Sequence, residues 1–341
     1  PAVAPPKGRV DAPNRGPPWQ HVRGWVVGKQ ILSRLLQTGI LILVVTLLTF
    51  LLITQAPGGP AILLDPNMTP EQAAELRRAL GLDEPFYIQY WRWLGQIAQG
   101  NLGTSYSVGQ PVLDLIKSNL PNTLLLSATA LVLSVGLAIP AGIISAARRY
   151  SVLDHSVTFV SFFGISVPVF WYGLILILIF SIKLGWLPSG GMRDLEGASG
   201  PLDVARHLIL PAIVLATANI AQLARYTRSA MVSVLSEDYI RTARSKGLRE
   251  QIVLYRHALR NAMIPVLTAA GLLIPRLVGG AAVTETVFAW PGMGSLAVRS
   301  AFARDYPTIM GITLVVSLVV IVTTLIVDIL YVYADPRIRF G

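Results

Sequence analysis

Residues 237–265 read EDYIRTARSKGLREQIVLYRHALRNAMIP, and this stretch decides what kind of protein the chain is. It carries Arg241, Arg244, Lys246, Arg249, Arg256 and Arg260 against Glu237, Asp238 and Glu250, yet apolar runs flank it on both sides. A polar, helix-forming segment held between two membrane spans must lie outside the bilayer, and a helix placed there needs a partner. Ala243 allows close backbone packing, and Gly247 permits an exit from the helix at positive φ. Val253, Leu254, His257, Ala258 and Leu259 then rebuild an amphipathic helix that leads into the next apolar run. Two readings follow from these residues alone: a docking element for a cytoplasmic partner, or a basic amphipathic helix that binds anionic headgroups.

Composition places the rest of the chain in a membrane. Of 341 residues, 53% are hydrophobic and only 13% charged, against about 25% charged in soluble domains; mean hydropathy is +0.59. Several apolar runs reach the roughly 20 residues that a membrane helix requires. The expected fold is therefore all-α, one polytopic membrane domain with six transmembrane helices. A net charge of +10 invites a nucleic-acid reading, but the Lys and Arg gather in alternate loops between spans, the positive-inside pattern. Cysteine is absent, which excludes disulfides, thiol catalysis and cysteine-ligated metals.

The six spans are expected near 35–54, 123–147, 157–182, 208–223, 264–283 and 310–327. The fourth is the weakest, being short and containing Pro211, Asn219 and Gln222. Residues 1–28 read as a disordered Pro-rich cytoplasmic tail with no apolar signal-peptide core; residues 29–341 form the membrane domain, with Lys29 and Arg34 at the inner end of its first span. Arg148 and Arg149 follow the second span, the basic stretch with Arg225 and Arg228 follows the fourth, and Arg337 and Arg339 end the chain. The loops 65–117 and 183–206 are slightly acidic and near neutral. Both termini are accordingly expected in the cytoplasm.

The outer loop, 55–121, carries helices of its own. Thr69-Pro70-Glu71-Gln72 is a capping box with proline at the first helical position, and Gly81 is placed to end that helix. Tyr87, Tyr90, Trp91, Trp93 and Leu94 then suit an interfacial helix along the bilayer surface; the other reading is a docking surface for an external partner.

Enzymatic signatures are missing. No G-x-x-x-x-G-K-[ST] nucleotide loop is present, and there is no H-E-x-x-H, no G-x-S-x-G and no histidine cluster with ligand spacing. No catalytic residue and no metal ligand is assigned, so energy for any pumping has to come from another subunit. A membrane-embedded hydrolase lacks a nucleophile–base pair. A non-transporting sensor or scaffold fits less well with polar residues inside spans.

From about residue 35 onward the chain resembles the permease subunits of the dipeptide/oligopeptide family of ATP-binding-cassette (ABC) importers. The resemblance rests on Asp-Tyr-Ile-Arg-Thr-Ala (238–243), Lys-Gly-Leu (246–248) and His-Ala-Leu-Arg-Asn-Ala (257–262) in register. It extends to Ala-Pro-Gly (56–58), Leu-Gly-Leu-Asp (80–83), Gly-Asn-Leu-Gly (100–103), Leu-Pro-Ala (210–212), Arg-Tyr-Thr-Arg-Ser (225–229), Thr-Glu-Thr-Val-Phe (284–288) and Asp-Pro-Arg-Ile-Arg (335–339). Arg260 departs from the wider importer pattern, which has proline there; Pro265 stands five residues on. The long Pro-rich amino terminus is also atypical.

This resemblance implies the type I ABC importer permease fold in a bacterial cytoplasmic (inner) membrane. It further implies a complex with a second homologous permease, two cytoplasmic ATPase subunits carrying ATP and Mg, and an external substrate-binding protein. The cargo would be a dipeptide or oligopeptide, with nickel, glutathione or another small solute as alternatives. The ATPase-coupling residues would be Glu237, Asp238, Tyr239, Arg241, Thr242, Ala243, Lys246, Gly247, Leu248, His257, Arg260 and Asn261.

The translocation path is less legible. Asn219 and Gln222 share a helix face and either line a path or bond between helices. Arg276, a charge deep in the fifth span, should face the bundle interior or water. It is a candidate for a peptide carboxylate, or for pairing with Glu285 or a partner subunit. Asp328 would cap or orient the inner end of the sixth span.

Overall fold

The computed structural model describes residues 19–56, 59–64, 68–194 and 200–334. The chain divides into two compact units: residues 1–45, holding the first part of helix α1 (Trp19–Thr54), and residues 46–341, holding everything else. No strand occurs among the described residues. Helix α1 begins at Trp19, within the region expected to be a disordered tail; residues 1–18 lie outside the described residues.

The outer elements follow their local code. Helix α2 (Pro70–Ala79) opens with the expected capping box: Gln72 N–H donates to Thr69 Oγ1 at 3.3 Å and Thr69 N–H to Gln72 Oε1 at 2.9 Å. It closes at Gly81, whose φ is +66°. There the Gly81 and Leu82 N–H groups return to the Arg78 and Arg77 carbonyls, the Schellman pattern that satisfies the last carbonyls of a helix. Helix α3 (Phe86–Ala98) is two-faced. Tyr90 is buried against Phe50 and Met310, while Trp91 is 70% exposed and Phe86 and Tyr87 also face outward.

The main body is α4 (Val112–Ala147), α5 (Val152–Ser166), α6 (Val169–Leu176), α7 (Pro201–Leu235), and further on α10 (Leu259–Gly280) and α13 (Tyr306–Ala334). Among the described residues, five helices are long and apolar enough to cross a membrane, and α5 with α6 makes a sixth span if the bent pair counts as one. The second and fourth spans are longer than expected. Helix α4 starts at Val112 rather than 123, and α7 runs 35 residues straight through Pro211. Proline inside a membrane helix is tolerated where neighbours re-satisfy the backbone, and α7 is the span most enclosed by other helices. Arg225 and Arg228 consequently ride on α7 and are not in a loop.

The third span departs most from expectation. Residues 157–182 do not form one rod: α5 and α6 meet at 106°. Pro168 offers no N–H, and the residue before a proline is pushed out of the helical region; Val167 sits at φ −80°, ψ 128°. Helix α6 then loosens into a π-helix over Ile177–Lys183.

Helices α4, α7 and α10 form the core through small residues, among them Ala130, Ala138, Ala216, Ala224 and Ala270. Small side chains let helix backbones approach, which replaces a hydrophobic driving force in lipid. Gly142 shows how close: a Cβ there would stand 2.5 Å from Thr227 Cβ and 2.8 Å from the Ala224 oxygen.

A polar knot closes one end of the body. Glu285, in α11 (Ala282–Val287), is fully buried. It accepts from Thr123 Oγ1 at 2.7 Å and from Ser295 N–H at 2.9 Å. Ser295 belongs to α12 (Met293–Phe302). Beside it, Trp290 Nε1 donates to the Asn122 oxygen at 3.0 Å. Asp305 makes a second knot, taking hydrogen bonds from Ser105 and Ser107 hydroxyls and from Tyr106 N–H. Burial works to raise its carboxyl pKa, but these donors, with Thr308, outweigh burial and hold it below its ordinary value.

Candidate functional site: a docking platform beneath a cavity

The basic stretch folds as α8 (Asp238–Ser245), α9 (Glu250–Ile252), a π-helical turn over Val253–Ala258, and the start of α10. Eight residues are too few to hold a helix alone, so packing holds α8. Ile240 is fully buried and Ala243 nearly so, in a cluster with Ile143 and Ala146 of α4, Met231 of α7, and Val253, Ala258 and Ala262. Burying an isoleucine side chain contributes about 1.5–3 kcal/mol. Helix α8 is thereby fixed to three helices of the membrane body.

The opposite face of α8 is free. Glu237, Asp238, Tyr239, Arg241, Thr242, Lys246, Gly247 and Leu248 are exposed, as are Arg260 and Asn261; His257 is half-buried. Ala243, grouped with the coupling residues on sequence, points into the chain's own core instead. It seats the helix and is not part of the exposed surface, because a residue three past Ile240 returns to the same helix face.

Gly247 has φ +74°. Its N–H bonds to the Arg244 oxygen at 2.9 Å and Leu248 N–H bonds to the Ala243 oxygen at 3.4 Å, a second Schellman ending. Polar ties finish the platform. Arg244 makes a forked pair with Glu250, at 2.6 and 3.1 Å, and this hydrogen bonding raises the arginine pKa further. Asn261 Nδ2 donates to the Tyr239 hydroxyl at 2.8 Å, joining α8 to α10.

A cavity of about 940 Å³ opens between α5 and α7. Asn219, Gln222 and Arg225 of α7 face Phe162 and Ile165 of α5 across it, so the two polar residues suspected on sequence do share a cavity wall. Asn219 also spends one amide hydrogen on the Leu215 oxygen at 3.0 Å. Arg225 lies over the Phe162 ring, 5.1 Å from its centroid, a cation–π contact. Arg276 lies on α10, but its side chain, like that of Asp328, is outside the described residues.

One tie beside the cavity was not read from the sequence. Asp154, buried in α5, accepts from Arg228 Nε and Nη2 at 2.7 and 2.8 Å, from Tyr150 N–H at 3.0 Å and from the Ser145 hydroxyl. It clamps α4, α5 and α7 together at the cavity's edge. Little in the sequence marked it: Asp154 stands in the polar stretch Tyr-Ser-Val-Leu-Asp-His-Ser (150–156) ahead of the third span, where a carboxylate is ordinary. Its partner Arg228 is 74 residues away in the chain, beyond any local pattern.

The chain matches known proteins along nearly its whole length. Residues 138–340 match the family described as binding-protein-dependent transport system inner membrane component, and residues 27–127 match the corresponding N-terminal family. The oligopeptide transport system permease protein AppB of Bacillus subtilis (strain 168) is 48% identical, over 91% of this chain and 99% of AppB. The di/tripeptide transport system permease protein DppB of Pseudomonas aeruginosa (strain UCBPP-PA14) is 46% identical, over 86% and 94%. The solved inward-facing MetNI methionine ABC transporter superposes with a TM-score of 0.54 at 16% identity, over 65% of this chain and 97% of that one, a likeness of fold. Five to six spans and no strand among the described residues, a short polar helix seated between two of the spans and these matches lead to one conclusion: the chain is a multi-pass membrane protein and a permease subunit, belonging to the inner membrane components of binding-protein-dependent ABC transport systems.

Proposed function

We propose that this chain is one of two homologous permeases in an importer that carries dipeptides or oligopeptides across a bacterial cytoplasmic membrane. The observation that carries the reading is the division of α8 into a buried face and a free face. Ile240 and Ala243 weld it to α4, α7 and α10, while Tyr239, Thr242, Lys246 and Leu248 remain outside. A helix so built transmits a push from a partner into the spans without bending. The peptide substrate is supported by AppB and DppB, whose names carry oligopeptide and di/tripeptide transport.

In this mechanism ATP and Mg sit on two cytoplasmic ATPase subunits, and this chain binds no nucleotide. Closure of the ATPase pair displaces α8, and the body rocks between outward and inward access. The α5–α7 cavity forms one wall of the path, with Asn219 and Gln222 as contacts and the second permease as the opposite wall; Arg276, on α10, is the third candidate for the path. An external binding protein delivers the peptide to the face formed by α2, α3 and the Glu285 and Asp305 knots. Both termini and the platform lie in the cytoplasm.

The test is uptake of labelled di- and oligopeptides by the complete complex in proteoliposomes, with ATP inside. Peptide accumulation that Ala218→Trp abolishes, by filling the cavity while the complex still assembles, is the expected result. Uptake of another solute with no peptide uptake would overturn the substrate assignment. Undiminished uptake by the tryptophan variant would overturn the path.

A further inference from the structure

Where the chain enters α7, three side chains of ligand type converge. Asp194 lies in the segment after the π-helical end of α6, and Asp203 and His207 are one turn apart in the first turns of α7. One ligand atom from each lies within 4.8 Å of the others. The His207 side chain is only 2% exposed, so its two ring nitrogens have few partners to choose from.

The proton on His207 can be placed. Nδ1 faces two acceptors of Asp203, the carboxylate Oδ1 at 3.1 Å and the main-chain oxygen at 3.0 Å. A nitrogen that meets only acceptors carries the hydrogen. In the neutral ring that leaves a lone pair on Nε2. Among the described residues Nε2 makes no hydrogen bond, and Asp194 Oδ1 stands 3.6 Å from it. Two electron-rich atoms face one another with a gap between them, and a cation in that gap removes the conflict.

We propose that Asp194 and His207 bind a first-row divalent cation, with Asp203 orienting the histidine. The 3.6 Å gap is near the ~3.3 Å edge that two ligands make when each stands about 2.0–2.1 Å from a tetrahedral metal. A carboxylate on the far nitrogen of a metal-binding histidine is the usual device for fixing its tautomer and raising its basicity. The backbone cooperates, since Asp194 N–H donates to Asp203 Oδ2 at 3.0 Å and so holds the two aspartates together. With one imidazole, oxygen donors and no thiolate, the set suits zinc, nickel or cobalt better than magnesium or calcium. Water completes the coordination from the open side, where Asp194 is 60% exposed. The ion would clip the segment after α6 to the start of α7.

The test uses the full-length complex purified without a polyhistidine tag, stripped with chelator and titrated with zinc against a chromophoric chelator. One equivalent per chain is expected at this site. Asp194→Asn and His207→Gln should each lower affinity at least ~10-fold, and Asp203→Asn by about 10–100-fold. X-ray absorption should show only nitrogen and oxygen neighbours at about 2.0–2.1 Å, with one imidazole. Asp194 is exposed, so its variant folds even if the His207 variant does not, and it decides the matter. Absence of a stoichiometric zinc, or unchanged affinity in Asp194→Asn, overturns the proposal. Because the readout is metal affinity, either outcome is independent of whether peptides are the cargo.

Discussion

Gly247 is where a single backbone angle should control coupling. Its φ is +74°, and a Cβ built there meets nothing within 4 Å. Any cost of substitution is therefore conformational, with no steric contribution from neighbours. A side chain in the left-handed region costs about 1–2 kcal/mol, and a β-branched one sits at the upper end or above. Since ~1.4 kcal/mol is a factor of ten in an equilibrium, Gly247→Val should depopulate the native exit of α8 by roughly ten-fold or more. Gly247→Ala should fall between, and Gly247→Asn should lose little, because asparagine tolerates this region. Ile240 and Ala243 still anchor α8 in each variant, so insertion and complex recovery should be unchanged. ATP-driven uptake and substrate-stimulated ATP hydrolysis, measured in proteoliposomes across the series, should fall in the order Gly, Asn, Ala, Val. Wild-type transport by the valine variant would refute the role of the turn. Equal losses for asparagine and valine would refute the conformational reasoning and point to steric exclusion at the docked surface.

Three other outcomes are expected. In this cysteine-free chain, cysteine at Arg244 should react with impermeant thiol reagents only from the cytoplasmic side and cysteine at Gln96 only from outside; labelling of both from one side would discard the topology. Gly292→Ala should lower the melting temperature of the purified complex, because its Cβ would stand 2.4–2.5 Å from the buried Glu285 carboxylate and overpacking of this kind costs about 1–3 kcal/mol; an unchanged melt would mean the knot yields freely. Asp305 has a folded-state pKa below its unfolded value, so its stabilisation is complete above about pH 4 and is lost as pH falls through the lower folded value. Asp305→Asn should therefore lower the melting temperature at neutral pH and flatten its decline below about pH 4, and parallel curves for the two proteins would contradict this.

Much of this protein was legible in one dimension because the relevant interactions are short in sequence. The Thr69–Gln72 capping box and the exits at Gly81 and Gly247 join residues no more than five apart, and all three stand where local rules put them. Apolar length announced the membrane spans, and the polar interruption at 237–262 announced a helix outside them. Pro168 carried a signal too, but the reading of 157–182 as one span passed over it: a residue with no N–H, preceded by one barred from helix, breaks that span. Pro211 carried the same local signal and was overruled, because α7 is enclosed by other helices whose packing outweighs the loss at one residue.

Tertiary structure alone decided which face of α8 is free, since the burial of Ile240 and Ala243 depends on where α4, α7 and α10 converge. It alone paired Asp154 with Arg228, Glu285 with Thr123, and Asp194 with His207. Helix periodicity specifies the face on which a side chain lies, but not which helix will pack against it. That choice comes from many small van der Waals contacts between Ala- and Gly-rich surfaces, and no short stretch of sequence contains both sides of them.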